Sequence, residues 1–346
     1  MDKEVFFRED LNTYGKLAQY GIGYCAGQVE LTSECEQRCR YCFSWREHHN
    51  GTVNGSLSLS MIKDLVAQLN AMTTFSHLTF TGGEPVLWKD STNPEIDFEQ
   101  LLRLLKVQGM NFSLQVNTAL VRPLNSTVWN NCLDRVRVSL DGITPETYKK
   151  MRGVDQDPEE IIQRMEELAH PGLSIMICAA KENIDEVPLI IARLNKMKHL
   201  PRKIMCLAVL GVDSAPEFWE KYNRLKDVPS LHIPTSFQEN VSEVRRFCNS
   251  PEAEEIPCAV AKISFHIKAT GRIHECCLCT GSEAIQSHPE SSLGNVYKET
   301  LVEIQKRHIP IKHYQKGSLC SASCQFKQLY INRLAHEAGK ITLTMP

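Results

Sequence analysis

Three cysteines fall within eight residues in the run CEQRCRYC, from Cys35 to Cys42. Thiolates are soft metal ligands, and a loop this short cannot pair them comfortably as disulfides, which would in any case leave one over. Structural zinc takes four protein ligands in a closed tetrahedral site, often as two CxxC knuckles. An iron-sulfur cubane also takes four thiolates, so three from one loop leave one iron without a side chain and open to a substrate or cofactor. A zinc loop, or a chance grouping, is the alternative reading.

The spacing Cys35-x3-Cys39-x2-Cys42, with Tyr41 before the last cysteine and the strand-like run QVELT ahead of the loop, resembles the signature of radical S-adenosylmethionine (SAM) enzymes. The resemblance implies that Cys35, Cys39 and Cys42 hold a [4Fe-4S] cluster whose fourth iron is chelated by the amino and carboxylate groups of SAM. It implies that an electron from the cluster cleaves the sulfonium to methionine and a 5'-deoxyadenosyl radical, which takes a hydrogen atom from the substrate. The cofactors supply that chemistry and the protein aims them.

Further along, the TGGEP run resembles the GGE motif of the same family, in which backbone of Gly82 and Gly83 and the Glu84 side chain contact the SAM amino group. Paired glycines at a strand end let backbone approach a ligand closely, or simply make a turn. By similarity, Asn117 or Ser139 contacts the SAM ribose or carboxylate, and Arg152 pairs with the carboxylate through its planar fork. The plain alternatives are strand caps and surface ion pairs, and Asp141 in SLDG has a further reading as a substrate ligand. The stretch CAAKENIDEV (178–187) resembles the fifth-strand region behind the adenine. Tyr41 and Phe43 pack near adenine or fill core. Arg38 and Arg40, between the cysteines, tune the cluster or are solvated.

These groups need a scaffold. Short β-rich runs recur at 28–32, 77–81, 112–117, 135–140, 173–178 and 203–209, separated by helical patterns at 60–72, 97–108, 158–169 and 185–198. Alternating strands and helices predict βα units on a parallel sheet, with strand C-terminal ends on one face. The cysteine loop follows the first strand and so belongs at that mouth, where α/β barrels carry their sites. The expected fold is α/β, a partial (β/α)6 TIM-like barrel with a small C-terminal α+β cysteine-rich domain of twitch or SPASM type. The expected divisions are an N-terminal extension (1–27), the barrel (28–211), a connector rich in Pro and charge with a helix near 238–248 (212–257), an auxiliary-cluster domain (258–330) and a tail (331–346).

Within 258–330, ISFHIK, a glycine-bearing turn and RIHECC predict a β-hairpin that brings Cys258 and Cys276 together. A helix near 298–308 returns Cys320 and Cys324 to the same place, and four thiolates from separate segments suit zinc or [4Fe-4S]. The order C-x12-G-x4-C, then LGNV and C-x3-C, resembles the SPASM/twitch extension of radical SAM enzymes, which implies one auxiliary [4Fe-4S] cluster on Cys258, Cys276, Cys320 and Cys324. Two cysteines stand beside it, Cys277 and Cys279. Cys277 is packing or an alternative ligand in one reading; in the other it returns a hydrogen atom to a substrate radical, as in the resembled epimerases. Cys25, Cys132, Cys178, Cys206 and Cys248 read as buried free thiols.

The remaining totals set limits. With 39 basic against 41 acidic residues and a net charge of -2, no global field favours nucleic acid or an anionic membrane. The N-terminal run is charged, and no apolar stretch approaches the roughly 20 residues of a membrane span, so a soluble cytoplasmic protein is expected. HExxH, P-loop and GxSxG patterns are missing, which leaves phosphoryl and acyl transfer without their parts. His48 and His49 read as surface loop. The leading expectation is a peptide-modifying radical SAM enzyme, epimerising Cα or cross-linking oxidatively, with an external donor such as flavodoxin or ferredoxin. A dehydrogenase or epimerase of an aminoglycoside, aminocyclitol or nucleoside sugar is second, and a non-catalytic Fe-S or zinc scaffold third.

Overall fold

The computed structural model describes residues 24, 26–39, 41–42, 55–73, 75–209, 216–232, 257–258, 264–274, 292–307 and 312–313. Six strands fall where the β-rich runs predict them: β1 (Ala26–Thr32), β2 (His77–Gly82), β3 (Ser113–Thr118), β4 (Arg135–Ser139), β5 (Leu173–Ala179) and β6 (Lys203–Ala208). Each pairs in parallel with the next, and the short β7 (Leu231–His232) adds to β6. The sheet is open, the expected partial barrel rather than a closed one.

Alternation decides its two faces. Val29, Leu31, Leu78, Phe80, Val136 and Val138 point to the helix side and are completely buried. The intervening residues line the inner face, among them the polar Glu30, Thr79, Gln115, Arg137 and Ser174. A fully covered parallel sheet would be apolar on both sides; this one keeps a polar inner face on β1 to β4, while β5 and β6 place Met176, Cys178, Met205 and Leu207 there.

The helices are capped by residues that their sequences supply. Ser58 caps α1 (Leu59–Asn70), accepting from the Met61 N–H, and Ile62, Leu65, Val66 and Leu69 form its buried stripe. A reciprocal capping box of Asp97 and Gln100 opens α2 (Phe98–Gln108). Then come α3 (Ser126–Cys132), α4 (Pro145–Arg152), α5 (Pro158–Leu168) and α6 (Val187–Leu194). The helical patterns did not anticipate α3 or α4. Nor did they anticipate α7 (Pro216–Arg224), which lies in the stretch expected as connector; the helix expected near 238–248 lies outside the described residues.

The C-terminal hairpin forms as expected, β9 (Ser264–Ile267) against β10 (Arg272–His274), with β11 (Ser292–Asn295) beside β10. It does not build a sheet of its own. Instead β9 pairs in parallel with β1 and extends the barrel sheet past its first strand. Phe265 closes this join by stacking on Phe75 and meeting Tyr24 edge-on. Inside it, Glu30 is buried and accepts from Lys268 Nζ at 3.0 Å and His266 Nε2 at 2.9 Å. The final described helix, α8 (Leu301–Lys306), sits within the expected 298–308 and buries Leu301 and Ile304. Before β9, a two-residue strand β8 (Pro257–Cys258) pairs with β12 (Lys312–His313).

Candidate active site

The cysteine loop leaves β1 and is fastened at its base to the turn after β2. Gly83 N–H donates to the Thr32 carbonyl at 2.8 Å and Glu84 N–H to the Glu34 carbonyl at 2.7 Å. The approach requires glycine: a Cβ on Gly83 would stand 2.1 Å from the Glu34 carbonyl oxygen, and Gly82 has φ +135°, with its own Cβ position 2.4 Å from Thr32 oxygen. With the Gly83 and Glu84 N–H groups directed to the loop, what this turn can offer an ammonium donor is carbonyl oxygen. The Glu84 side chain, expected to contact SAM, is buried and faces β3. It accepts from Thr118 Oγ1 at 2.5 Å and from Ala119 N–H at 2.6 Å, and burial raises its pKa against these hydrogen bonds.

At its far side the loop docks on α4. Arg38 N–H donates to the Arg152 carbonyl at 2.7 Å, and the Arg38 side chain donates back to the Cys35 and Gln37 carbonyls, so this arginine braces the loop. Beneath lies a buried knot. Asp141, at the end of β4, is completely enclosed; Arg152 Nε stands 2.6 Å from its Oδ2, the Tyr41 hydroxyl donates to the same oxygen, and Cys178 N–H donates to Oδ1 at 2.6 Å. Arg152 Nη1 donates to Cys39 Sγ at 3.2 Å. Burial disfavours the Arg152 charge, but Asp141 and then Tyr41 and Cys39 hold its pKa well above the ordinary arginine value.

The side chains assigned from sequence therefore divide. Cys35, Cys39 and Cys42 share one loop, half-buried, buried and exposed in turn. Arg152, expected on the SAM carboxylate, is engaged with Asp141 and Cys39. Asp141 is enclosed within the protein rather than presented to a substrate, and Tyr41 gives its hydroxyl to that carboxylate. Asn117 and Ser139 lie half-buried on the inner face, Asn117 Oδ1 accepting from Gln115 Nε2. In 178–187, Asn183 is buried and donates to the Asp141 and Cys178 carbonyls, wrapping the end of β4. Cys132 and Cys206 are buried thiols as expected, whereas Cys178 is half-buried on the inner face. Cys258 lies on β8, and Cys276, Cys277, Cys279, Cys320, Cys324, Arg40 and Phe43 fall outside the described residues, as do Cys25, Cys248, His48 and His49.

The loop suits a cluster. Among the described residues, no three His, Cys, Asp or Glu side chains close on a single ion, and thiolates at separate corners of a cubane need not. Cys35 has its pKa pushed up to about 12 by burial, then by Glu84, with Cys39 and Cys42 close enough to add to the effect. A group that Cys35 helps to hold must therefore carry positive metal charge to displace its proton. Arg152 points one guanidinium N–H at Cys39 and keeps Nη2 buried without an acceptor, which fits an electron-rich sulfur group beside it.

The model of the Radical SAM superfamily matches residues 29–194. A probable GTP 3',8-cyclase of Methanosarcina mazei is 27% identical over 259 residues, 70% of this chain and 70% of that protein. An S-adenosylmethionine-dependent nucleotide dehydratase of Selenomonas ruminantium is 27% identical over 146 residues, 41% of this chain and 47% of its own. In structure, Streptococcus suis SuiB bound to S-adenosylmethionine superposes with a TM-score of 0.59 at 13% identity, covering 85% of this chain and 68% of that one. anSMEcpe with bound AdoMet and Cp18Cys peptide gives 0.58 at 15%, covering 82% and 80%. These two share the fold. No described helix is long and apolar enough to cross a membrane. With its three-cysteine loop seated at the mouth of an open parallel barrel and its family match running from β1 to α6, this chain carries a radical SAM domain over residues 29–194.

Proposed function

We propose that this chain cleaves SAM reductively and abstracts a hydrogen atom from a nucleotide or nucleoside-sugar substrate. A radical SAM domain implies SAM and a [4Fe-4S] cluster, a substrate and a reductant. The observation that carries the reading is the loop fastened between the GGE turn and the Arg152–Asp141 knot, with Arg152 donating to Cys39. When bound, the cluster and SAM supply an electron and a 5'-deoxyadenosyl radical. The protein's own residues place the loop, exclude water behind it and present Asn117 and Ser139 on the inner face for the SAM ribose or carboxylate.

The substrate class rests on the relatives, whose names place them on GTP and on nucleotides. Peptide epimerisation or cross-linking is the second reading, favoured by the SPASM-like order of Cys258, Cys276, Cys320 and Cys324. Those four hold one auxiliary [4Fe-4S] cluster in either reading, with Cys277 as the candidate hydrogen donor if the outcome is epimerisation. The setting is the cytoplasm, with flavodoxin or ferredoxin as reductant.

Anaerobic reconstitution, reduction and SAM should yield 5'-deoxyadenosine, enhanced by nucleotides rather than peptides. Production no greater than in a Cys39→Ala variant would end the catalytic reading. Iron analysis should give about eight irons per chain if both clusters form, and about four if one does.

A further inference from the structure

Arg137 stands in the middle of β4 on the polar inner face, half-buried, and makes no hydrogen bond or ion pair with any described residue. Its Nε is enclosed and has no acceptor. Its ladder partners are neutral, Asn117 of β3 on one side and Ser174 of β5 on the other. Asn117 gives its oxygen to Gln115 and so keeps amide donors, while Ser174 turns its hydroxyl to the Val136 carbonyl.

The surrounding charges do not balance it. Arg135 lies two residues earlier on the same face and is exposed. Asp134 accepts from Leu114 N–H with one oxygen, and Asp141 is enclosed with Arg152. His77 of β2 stays neutral, its pKa pushed down to about 4 by burial and then by Arg135 and Arg137. Burial, with Arg135 adding to it, lowers Arg137 to about 10, which leaves it charged at neutral pH. A partly enclosed guanidinium without a counter-ion is unfavourable unless an anion joins it. Two cations on one face suit a doubly charged phosphate, whose oxygens match the guanidinium fork.

We propose that Arg137, supported by Arg135, binds a phosphate group of the substrate inside the barrel. The site lies about 7 Å along β4 from Ser139, below the strand ends assigned to SAM. Identifying the phosphate as a nucleotide's rests on the function proposed above; the anion site itself rests on the unpaired arginine.

The test is calorimetry on the reconstituted, full-length protein with GTP, guanosine and inorganic pyrophosphate. GTP should bind far more tightly than guanosine, and pyrophosphate should compete with it. Arg137→Gln should weaken GTP about 10- to 100-fold, the loss of a charged hydrogen-bonding contact, with SAM affinity unchanged and the melting temperature not lowered. Arg137→Lys should fall between. Wild-type GTP affinity in Arg137→Gln would overturn the proposal, as would a loss of SAM binding in its place, which would put Arg137 on SAM. Pyrophosphate binding that depends on Arg137, with no nucleotide binding, would uphold the anion site and end the nucleotide reading. Should Arg137→Gln fail to fold, wild-type protein decides: pyrophosphate should shift the His77 ring resonances, and no shift overturns the proposal.

Discussion

Replacing Asp141 by asparagine removes one charge and almost no volume from a fully enclosed knot. The carboxylate holds Arg152 Nε at 2.6 Å and receives Cys178 N–H at 2.6 Å, while Tyr41 donates to it from the cysteine loop. Breaking a buried ion pair from one side costs about 3–5 kcal/mol, because the partner charge is left behind in the interior. Asparagine keeps one acceptor for Cys178 N–H, so we expect the lower end, about 3 kcal/mol, or somewhat more than 100-fold in the folding equilibrium. Anaerobic urea unfolding of Asp141→Asn, Arg152→Gln and the double variant measures this directly. The single losses should be strongly non-additive, with a coupling of about 2 kcal/mol, and Asp141→Asn should also retain less iron after reconstitution. A coupling below about 0.5 kcal/mol would refute the reasoning, since the pair would then not be the connection between loop and barrel.

Gly83→Ala should leave the fold intact yet lower cluster content and SAM affinity, because its methyl would stand 2.1 Å from the Glu34 carbonyl oxygen and lift the loop; iron analysis and SAM titration check this. Glu30 has its pKa lowered by Lys268 and His266 against the opposing effect of burial. Its contribution is therefore present above the ordinary carboxylate range and declines as pH falls below about 4.3. Urea midpoints from pH 6 to pH 3 should fall less steeply in Glu30→Gln than in the wild type. His77 is held at a pKa of about 4 by burial and then by Arg135 and Arg137; Arg137→Gln should raise that value in an NMR titration. Since the depressed histidine favours folding above about 6.5 and loses that contribution as pH falls towards 4, the variant should be less acid-sensitive there.

The first four strands were readable because they alternate as a sheet with one polar face imposes, RVRVS on β4 showing both faces in five residues, and β5 and β6 because they are short apolar runs. The cysteine loop and GGE turn were readable because their chemistry is local. Less visible was α4, although Thr144 as cap, Pro145 at the first turn and Gly153 just beyond its end were all present. Its composition is polar, and Arg152 reads naturally as a group at the barrel mouth. That Arg152 meets Asp141, Tyr41 and Cys39 depends on two stretches about a hundred residues apart in sequence, and no local pattern encodes such a meeting. The destination of the hairpin was hidden for the same reason. Its strands and turn are local, but pairing with β1 arises because an open parallel sheet leaves that edge unsatisfied.

That edge pairing imposes an order on synthesis. Glu30 emerges early from the ribosome, yet Lys268 and His266, which hydrogen-bond to it, are made more than two hundred residues later. The opening strand of the barrel must wait, with a carboxylate still hydrated, while five successive neighbours line up beyond it. It becomes one of the last pieces to be completed, so nascent chains stalled before β9 would present a tacky parallel rim to chaperones and to one another.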